Sequence, residues 1–145
     1  MTDVDIDRLT RWPVNIGKAA ELSGISPKML RHYEALGLLG AVARTDSNYR
    51  QYSLADVHTL RFIRRARDLG FALADIGELL ALWRDQGRAS ADVKRIALEH
   101  VVALERKIAE LQGMASTLRT LAAHCHGDTR PDCPIITDLD AGGGR

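Results

Sequence analysis

The stretch Asn15-Ile-Gly-Lys-Ala-Ala-Glu-Leu-Ser-Gly24-Ile-Ser26-Pro27-Lys28-Met-Leu-Arg31-His32-Tyr33-Glu-Ala-Leu-Gly37 carries a full set of start and stop signals for two short helices. Ile16, Ala19, Ala20 and Leu22 recur at helical spacing and make one apolar face, which Ser23-Gly24 closes with a glycine where the backbone turns left-handed. Ser26 then reads as an N-cap with Pro27 at the first helical position, so a second helix runs from Pro27 to about Leu36 before Gly37. Two short helices meeting across a glycine turn form the helix-turn-helix signature. The second helix sets Lys28, Arg31 and His32 within one turn, with Tyr33 next and Leu30 and Leu36 expected inward. A basic face on one helix, taken alone, is what any solvated surface shows. The segment that follows changes that reading.

Gly40-Ala-Val-Ala-Arg44-Thr-Asp-Ser-Asn-Tyr49-Arg50-Gln-Tyr52 reads as a short hairpin, with strands on either side of a Thr-Asp-Ser-Asn turn. It interleaves Arg44 and Arg50 with tyrosines. Arginines suited to grip phosphates beside hydroxyls able to donate hydrogen bonds suggest a nucleic-acid-binding wing, since a hairpin needed only for packing has little use for them. Ser53-Leu-Ala-Asp56 is a capping box opening a helix to about Leu69, with Leu60 and Ile63 inward. Its Arg61, Arg64, Arg65 and Arg67 face outward, where DNA backbone and plain water are both open to them. Phe71 to Trp83 reads as a further helix burying Ile76, Leu79, Leu80 and Trp83.

After a break at Asp85-Gln-Gly-Arg-Ala, Ser90 and Asp92 open a helix to about Ala123, on the order of 50 Å long. Ala97, Val101, Leu104, Ile108, Leu111, Ala115, Leu118 and Ala122 alternate spacings of four and three, the seam of a coiled coil. One seam needs a partner, and the simplest is the same helix of a second chain, giving a homodimer.

The two cysteines of the chain, Cys125 and Cys133, end this helix, and Gly127, Asp128, Pro131 and Asp132 between them make a loop able to fold both sulfurs inward. Two thiolates suit a soft, low-coordinate, monovalent ion such as Cu(I). His124 and His126 would add nitrogen ligands for a divalent ion, and a reversible disulfide is a third reading. A spacing of this length lacks the paired short C-x₂₋₄-C signature of a zinc site.

The net charge of +1 conceals an asymmetry: residues 8–67 carry eleven Lys/Arg against four Asp/Glu, whereas residues 68–145 carry nine against twelve. A basic front joined to an acidic rear fits a polyanion-binding domain attached to something with another task. Nothing resembles a signal peptide or a membrane span, so a cytoplasmic protein with no membrane association is expected, where thiols stay reduced. No nucleophile–base pair or phosphate loop points to an enzyme. The expected organisation is mainly α: a flexible leader (1–14), a winged-helix DNA-binding domain (15–84), a dimerisation helix (90–123), a metal-binding loop (124–136) with Pro134-Ile-Ile136 as an apolar clip, and a disordered tail (137–145).

Asn15-Ile-Gly-Lys-Ala-Ala, Lys28-Met-Leu-Arg31-His-Tyr33-Glu, Gly37-Leu-Leu, Arg44, Tyr49-Arg50-Gln-Tyr52 and Ser90-Ala-Asp-Val-Lys together resemble the MerR family of bacterial transcription regulators, over nearly the whole chain from Asn15 to Ile136. Cys125-x₇-Cys133-Pro-Ile-Ile resembles its copper(I)-sensing CueR branch. The resemblance implies a winged-helix dimer whose antiparallel coiled coil brings each metal loop to the helix start of the other subunit, with one Cu(I), Ag(I) or Au(I) per cysteine pair. It places Ser90 where zinc-sensing relatives carry a cysteine ligand, so the serine favours a monovalent ion. It carries DNA contacts onto Lys28, Arg31 and Tyr33 of the recognition helix and onto Arg44, Tyr49 and Arg50 of the wing. It also implies a palindromic promoter with an overlong spacer, distorted on metal binding so that RNA polymerase engages both elements. Asn48 departs from the glycine that relatives often carry before the Tyr-Arg pair, and asparagine tolerates the left-handed backbone required there.

Overall fold

The first three helices of the front unit each begin where a side chain satisfies a free backbone N–H. The computed structural model describes residues 10–142. Helix α1 spans Ile16–Ser23, where the Asn15 side chain accepts from the Lys18 N–H at 2.8 Å and Gly24 closes the helix at φ 71°. Helix α2 spans Pro27–Ala35, with Ser26 Oγ accepting from the Met29 N–H at 3.3 Å. Helix α3, Leu54–Asp68, opens on the capping box, Ser53 and Asp56 each bonding the other's backbone N–H. Helix α4 covers Leu73–Arg84. Helix α3 packs against α1 and α4, and α1 against α2, around Ala19, Leu22, Leu30, Val57, Leu60, Ile63, Ile76 and Leu80.

Two expected core positions lie outside. Leu36 caps α2 just before the turn at Gly37 and is 51% exposed, because Leu30 and Tyr33 take the inward direction. Trp83 is 40% exposed and stacks on Phe62 at 4.8 Å along the rim of the core. Conversely, Trp12 and Val14, read as loose leader, belong to the fold: Val14 exchanges backbone hydrogen bonds with Tyr52 (2.9 and 2.7 Å), and Trp12 packs against the core. Residues 1–9, including Arg8, lie outside the described residues.

Between α2 and α3 stand strands β1 (Ala43–Arg44) and β2 (Arg50–Gln51), antiparallel with Arg44 opposite Arg50. The turn joining them is held by Thr45, whose N–H donates to the Tyr49 carbonyl (2.8 Å) and whose Oγ1 accepts from the Tyr49 N–H (3.1 Å). Asn48 supplies the left-handed residue at φ 67°.

The chain divides into two compact units between Val93 and Lys94. Helix α5, Ser90–His124, runs 35 residues, and every residue from Val101 to Thr120 is exposed within the single chain, the whole seam in that interval included. Leu98, Val102 and Met114 widen the apolar stripe. Helix α6 spans Pro134–Asp140, so the apolar clip is its first turn and residues 137–140, expected in the tail, belong to it. Proline at the first helical position favours this start, and the Thr137 hydroxyl donates to the Cys133 carbonyl at 3.1 Å. Residues 143–145 lie outside the described residues.

Candidate functional site

Helix α2 begins on Ser26-Pro27, which directs Lys28 and Arg31, one turn apart, into solvent together with His32. Tyr33 does not join them. It is 5% exposed and belongs to the core, because one residue further round a helix rotates a side chain by about 100°, here from solvent into the core. Its ring thus packs beneath the basic face, unlike the solvent-facing Lys28 and Arg31 with which it was expected to contact DNA.

The wing tyrosines also divide. Tyr49, just before β2, is 73% exposed, whereas Tyr52 is wholly buried and its hydroxyl has no hydrogen-bond partner among the described residues. Burial, and next the Glu34 carboxylate, push the Tyr52 phenol above its ordinary range, against the pull of Arg50 and Arg31. Of the two, only Tyr49 offers its hydroxyl to a ligand.

Arg44 and Arg50 are brought onto one carboxylate. Glu34 Oε2 accepts from Arg50 Nε at 2.5 Å, and Oε1 accepts from Arg44 Nη2 at 3.4 Å. Glu34 is a functional residue that local sequence pattern leaves without a task. Its signal was that no other acidic residue stands between Glu21 and Asp46. On α3, Arg64 donates to the Gly24 carbonyl at the end of α1, and Arg67 donates to the Phe71 carbonyl at 3.3 Å, so both do structural work. Arg61 and Arg65 border an apolar cleft of about 440 Å³ over Phe62, Leu79 and Trp83.

In the rear unit the loop after α5 turns at Gly127 (φ 68°), and Asp128 holds it by accepting from the Arg130 N–H (2.9 Å) and Nε (2.8 Å). This brings Cys125 Sγ and Cys133 Sγ to 3.6 Å, both free thiols and both half-buried. Cys133 occupies the N-cap position of α6. The backbone N–H of Ile136, then the Cys125 thiol, and less strongly the Ile135 N–H hold its thiol below the ordinary range, against a small opposing effect of burial. His124 Nδ1 lies 2.7 Å from the Thr120 carbonyl, which can only accept, so this nitrogen carries a proton and is turned back along α5. Among the described residues no group of three or more His, Cys, Asp or Glu is arranged to hold a metal ion. Two free thiols this close fit a soft ion of low coordination number. Ser90 is the first residue of α5, and the cysteines follow its last.

Residues 14–83 match the family model described as MerR HTH family regulatory protein, and residues 57–121 match MerR, DNA binding. The chain is 63% identical over 131 residues to the HTH-type transcriptional regulator HmrR of Sinorhizobium medicae (strain WSM419), covering 90% of this chain and 89% of that one. This chain belongs to the MerR family. It is also 44% identical over 126 residues to the HTH-type transcriptional regulator CueR of Escherichia coli O157:H7, covering 87% of this chain and 93% of that protein. Among solved structures it is similar to the transcription regulator PbrR691 from Ralstonia metallidurans CH34 in complex with lead(II), with a TM-score of 0.76 at 28% identity over 87% of this chain and 98% of that one. This MerR-family protein is a metal-responsive, DNA-binding transcription regulator and not an enzyme, as its relatives are transcription regulators. No helix among the described residues is long and apolar enough to cross a membrane.

Proposed function

We propose that this regulator is a copper(I)-responsive activator that works in the cytoplasm as a homodimer on a palindromic promoter. The observation that carries the choice of metal is the pair of sulfurs 3.6 Å apart with no third ligating side chain gathered around them among the described residues. Two thiolates binding one monovalent ion leave a net charge of −1. The first N–H groups of α6, which already face Cys133, favour that charge, and a divalent ion would cancel it. Ag(I) and Au(I) satisfy the same argument. An antiparallel pairing of α5 seams would bring the Ser90 end of each chain to the partner's thiols, where a hydroxyl in place of a third thiolate again favours the lower charge. Lys28 and Arg31 of α2, with Arg44, Tyr49 and Arg50 of the wing, would hold the DNA. Sequence-dependent distortion of an overlong promoter spacer would then let RNA polymerase engage both elements.

A second reading is a thiol-redox switch, favoured by the closeness of the sulfurs and by the lowered pKa of Cys133, since the thiolate is the form that oxidises. One experiment separates these readings. Transcription from the target promoter is measured for the wild type, Cys125→Ser and Cys133→Ser under copper, zinc and an oxidant with chelator present. Copper induction that either substitution abolishes, with gel-shift affinity for the promoter retained, is the expected result. Zinc inducing as well as copper would promote a divalent sensor, and induction by the oxidant with metals chelated would promote the redox switch; either result overturns the copper assignment.

A further inference from the structure

Glu34 stands between the two wing arginines, and a surface built only to attract phosphate gains nothing from a carboxylate there. It cancels one of two positive charges at a place expected to meet a polyanion. What it supplies is geometry. Arg44 and Arg50 face each other across the ladder, an arrangement in which like charges repel, and a ladder of two residue pairs is too short to set its own direction. Glu34 is on the last turn of α2 with only 17% of its side chain exposed, so its place is set by the helix. By accepting from Arg50 Nε it fixes the plane of that guanidinium while leaving both terminal nitrogens without a partner among the described residues. Arg44 is held at two points, Nη2 on Glu34 and Nη1 on the Asn48 carbonyl at 3.4 Å.

We infer that Glu34 is a positioning residue that ties the wing to the recognition helix, so that the contacts of α2 and of the wing reach operator DNA in one register, at the expense of general affinity for polyanions. The inference rests on the reading that Arg44 and Arg50 meet DNA. Removing the charge while keeping the shape should therefore act in opposite directions on the two kinds of DNA. Specific binding should weaken because the arginines lose their fixed orientation, and non-specific binding should strengthen because one more positive charge is uncompensated.

The test uses the full-length protein and its Glu34→Gln variant. Two duplexes serve as probes: the palindrome that the wild type selects from a random-sequence pool, and a scrambled duplex of the same composition. The expected result is roughly tenfold weaker binding to the selected palindrome, the lower part of the range for losing one well-placed arginine contact, together with tighter binding to the scrambled duplex and a steeper salt dependence on it. An unchanged or increased ratio of the two affinities overturns the inference, and tighter binding to both duplexes by the same factor shows a purely electrostatic role. Arg44→Ala and Arg50→Ala isolate the underlying reading: if both bind the palindrome like the wild type, the wing contacts themselves are wrong, whereas weakened arginine variants beside an unchanged Glu34→Gln ratio sink the positioning role alone. A measurement without DNA keeps the inference falsifiable if the variant folds poorly. In the wild type the Arg50 Nε–H should give an NMR signal protected from exchange by its carboxylate acceptor, and a freely exchanging signal overturns the clamp.

Discussion

Replacing Leu104 and Leu111 together with lysine should convert the regulator from a dimer to a monomer. Within a single chain Leu104 is 42% exposed and Leu111 52%, so about half of each side chain remains to be covered by a partner. Full burial of a leucine contributes about 1.5–3 kcal/mol, so the remaining half contributes about 1 kcal/mol, and a dimer contains four such side chains. The hydrophobic loss alone is therefore about 4 kcal/mol, which at 1.4 kcal/mol per factor of ten raises the dimer dissociation constant roughly a thousandfold. Four lysines drawn into one seam add like-charge repulsion and desolvation, so the thousandfold is a lower bound. Sedimentation equilibrium at micromolar concentration reads the change directly. Thr117→Lys/Thr120→Lys serves as the control, since it adds the same two charges per chain on the exposed helix, away from the seam and from the residues that widen it, and should leave the dimer intact. A dimer that survives Leu104→Lys/Leu111→Lys would show that the stripe from Ala97 to Ala122 is not the interface, and a monomer of the control variant would place the interface on the other face of α5.

Ser90→Cys should shift metal preference toward zinc, because a third thiolate compensates the extra charge of a divalent ion and raises the coordination number. Competition between copper and zinc for the purified dimer measures it, and an unchanged preference would remove Ser90 from the neighbourhood of the partner's thiols. Tyr52→Phe should stabilise the front unit by about 1 kcal/mol, since it exchanges a buried, unpartnered hydroxyl for an apolar ring of the same shape. The same substitution should flatten the alkaline end of the stability profile. The Tyr52 phenol is raised in the native state, so above about pH 10 the unfolded chain releases this proton while the native chain keeps it, and native stability falls as pH rises. Urea midpoints at pH 8 and pH 10.5 test both points; a destabilised variant, or an unaltered pH slope, refutes the environment assigned to Tyr52.

The local architecture was legible in the residues. Asn15 and Gly24 at the two ends of α1, Ser26-Pro27 opening α2, and the Ser53/Asp56 capping box act through hydrogen bonds and dihedral preferences spanning three or four residues, so sequence alone determined where those helices begin and how α1 ends. The heptad stripe was legible for a related reason: an apolar residue every 3.5 positions shares one side of any helix, whatever surrounds it. Tertiary structure alone decided which of three chemically equivalent tyrosines faces water, leaving Tyr49 outside while Tyr33 and Tyr52 fill the core. It also recruited Trp12 and Val14 from an apparent leader, turned out Leu36 and Trp83, and set the distance between the two sulfurs. Glu34 shows the reason most clearly. Its partners Arg44 and Arg50 lie ten and sixteen residues away along the chain. No local preference brings them to one carboxylate; the packing of α1, α2 and α3 does, by fixing where the hairpin leaves α2 and where Tyr52 returns it to the core.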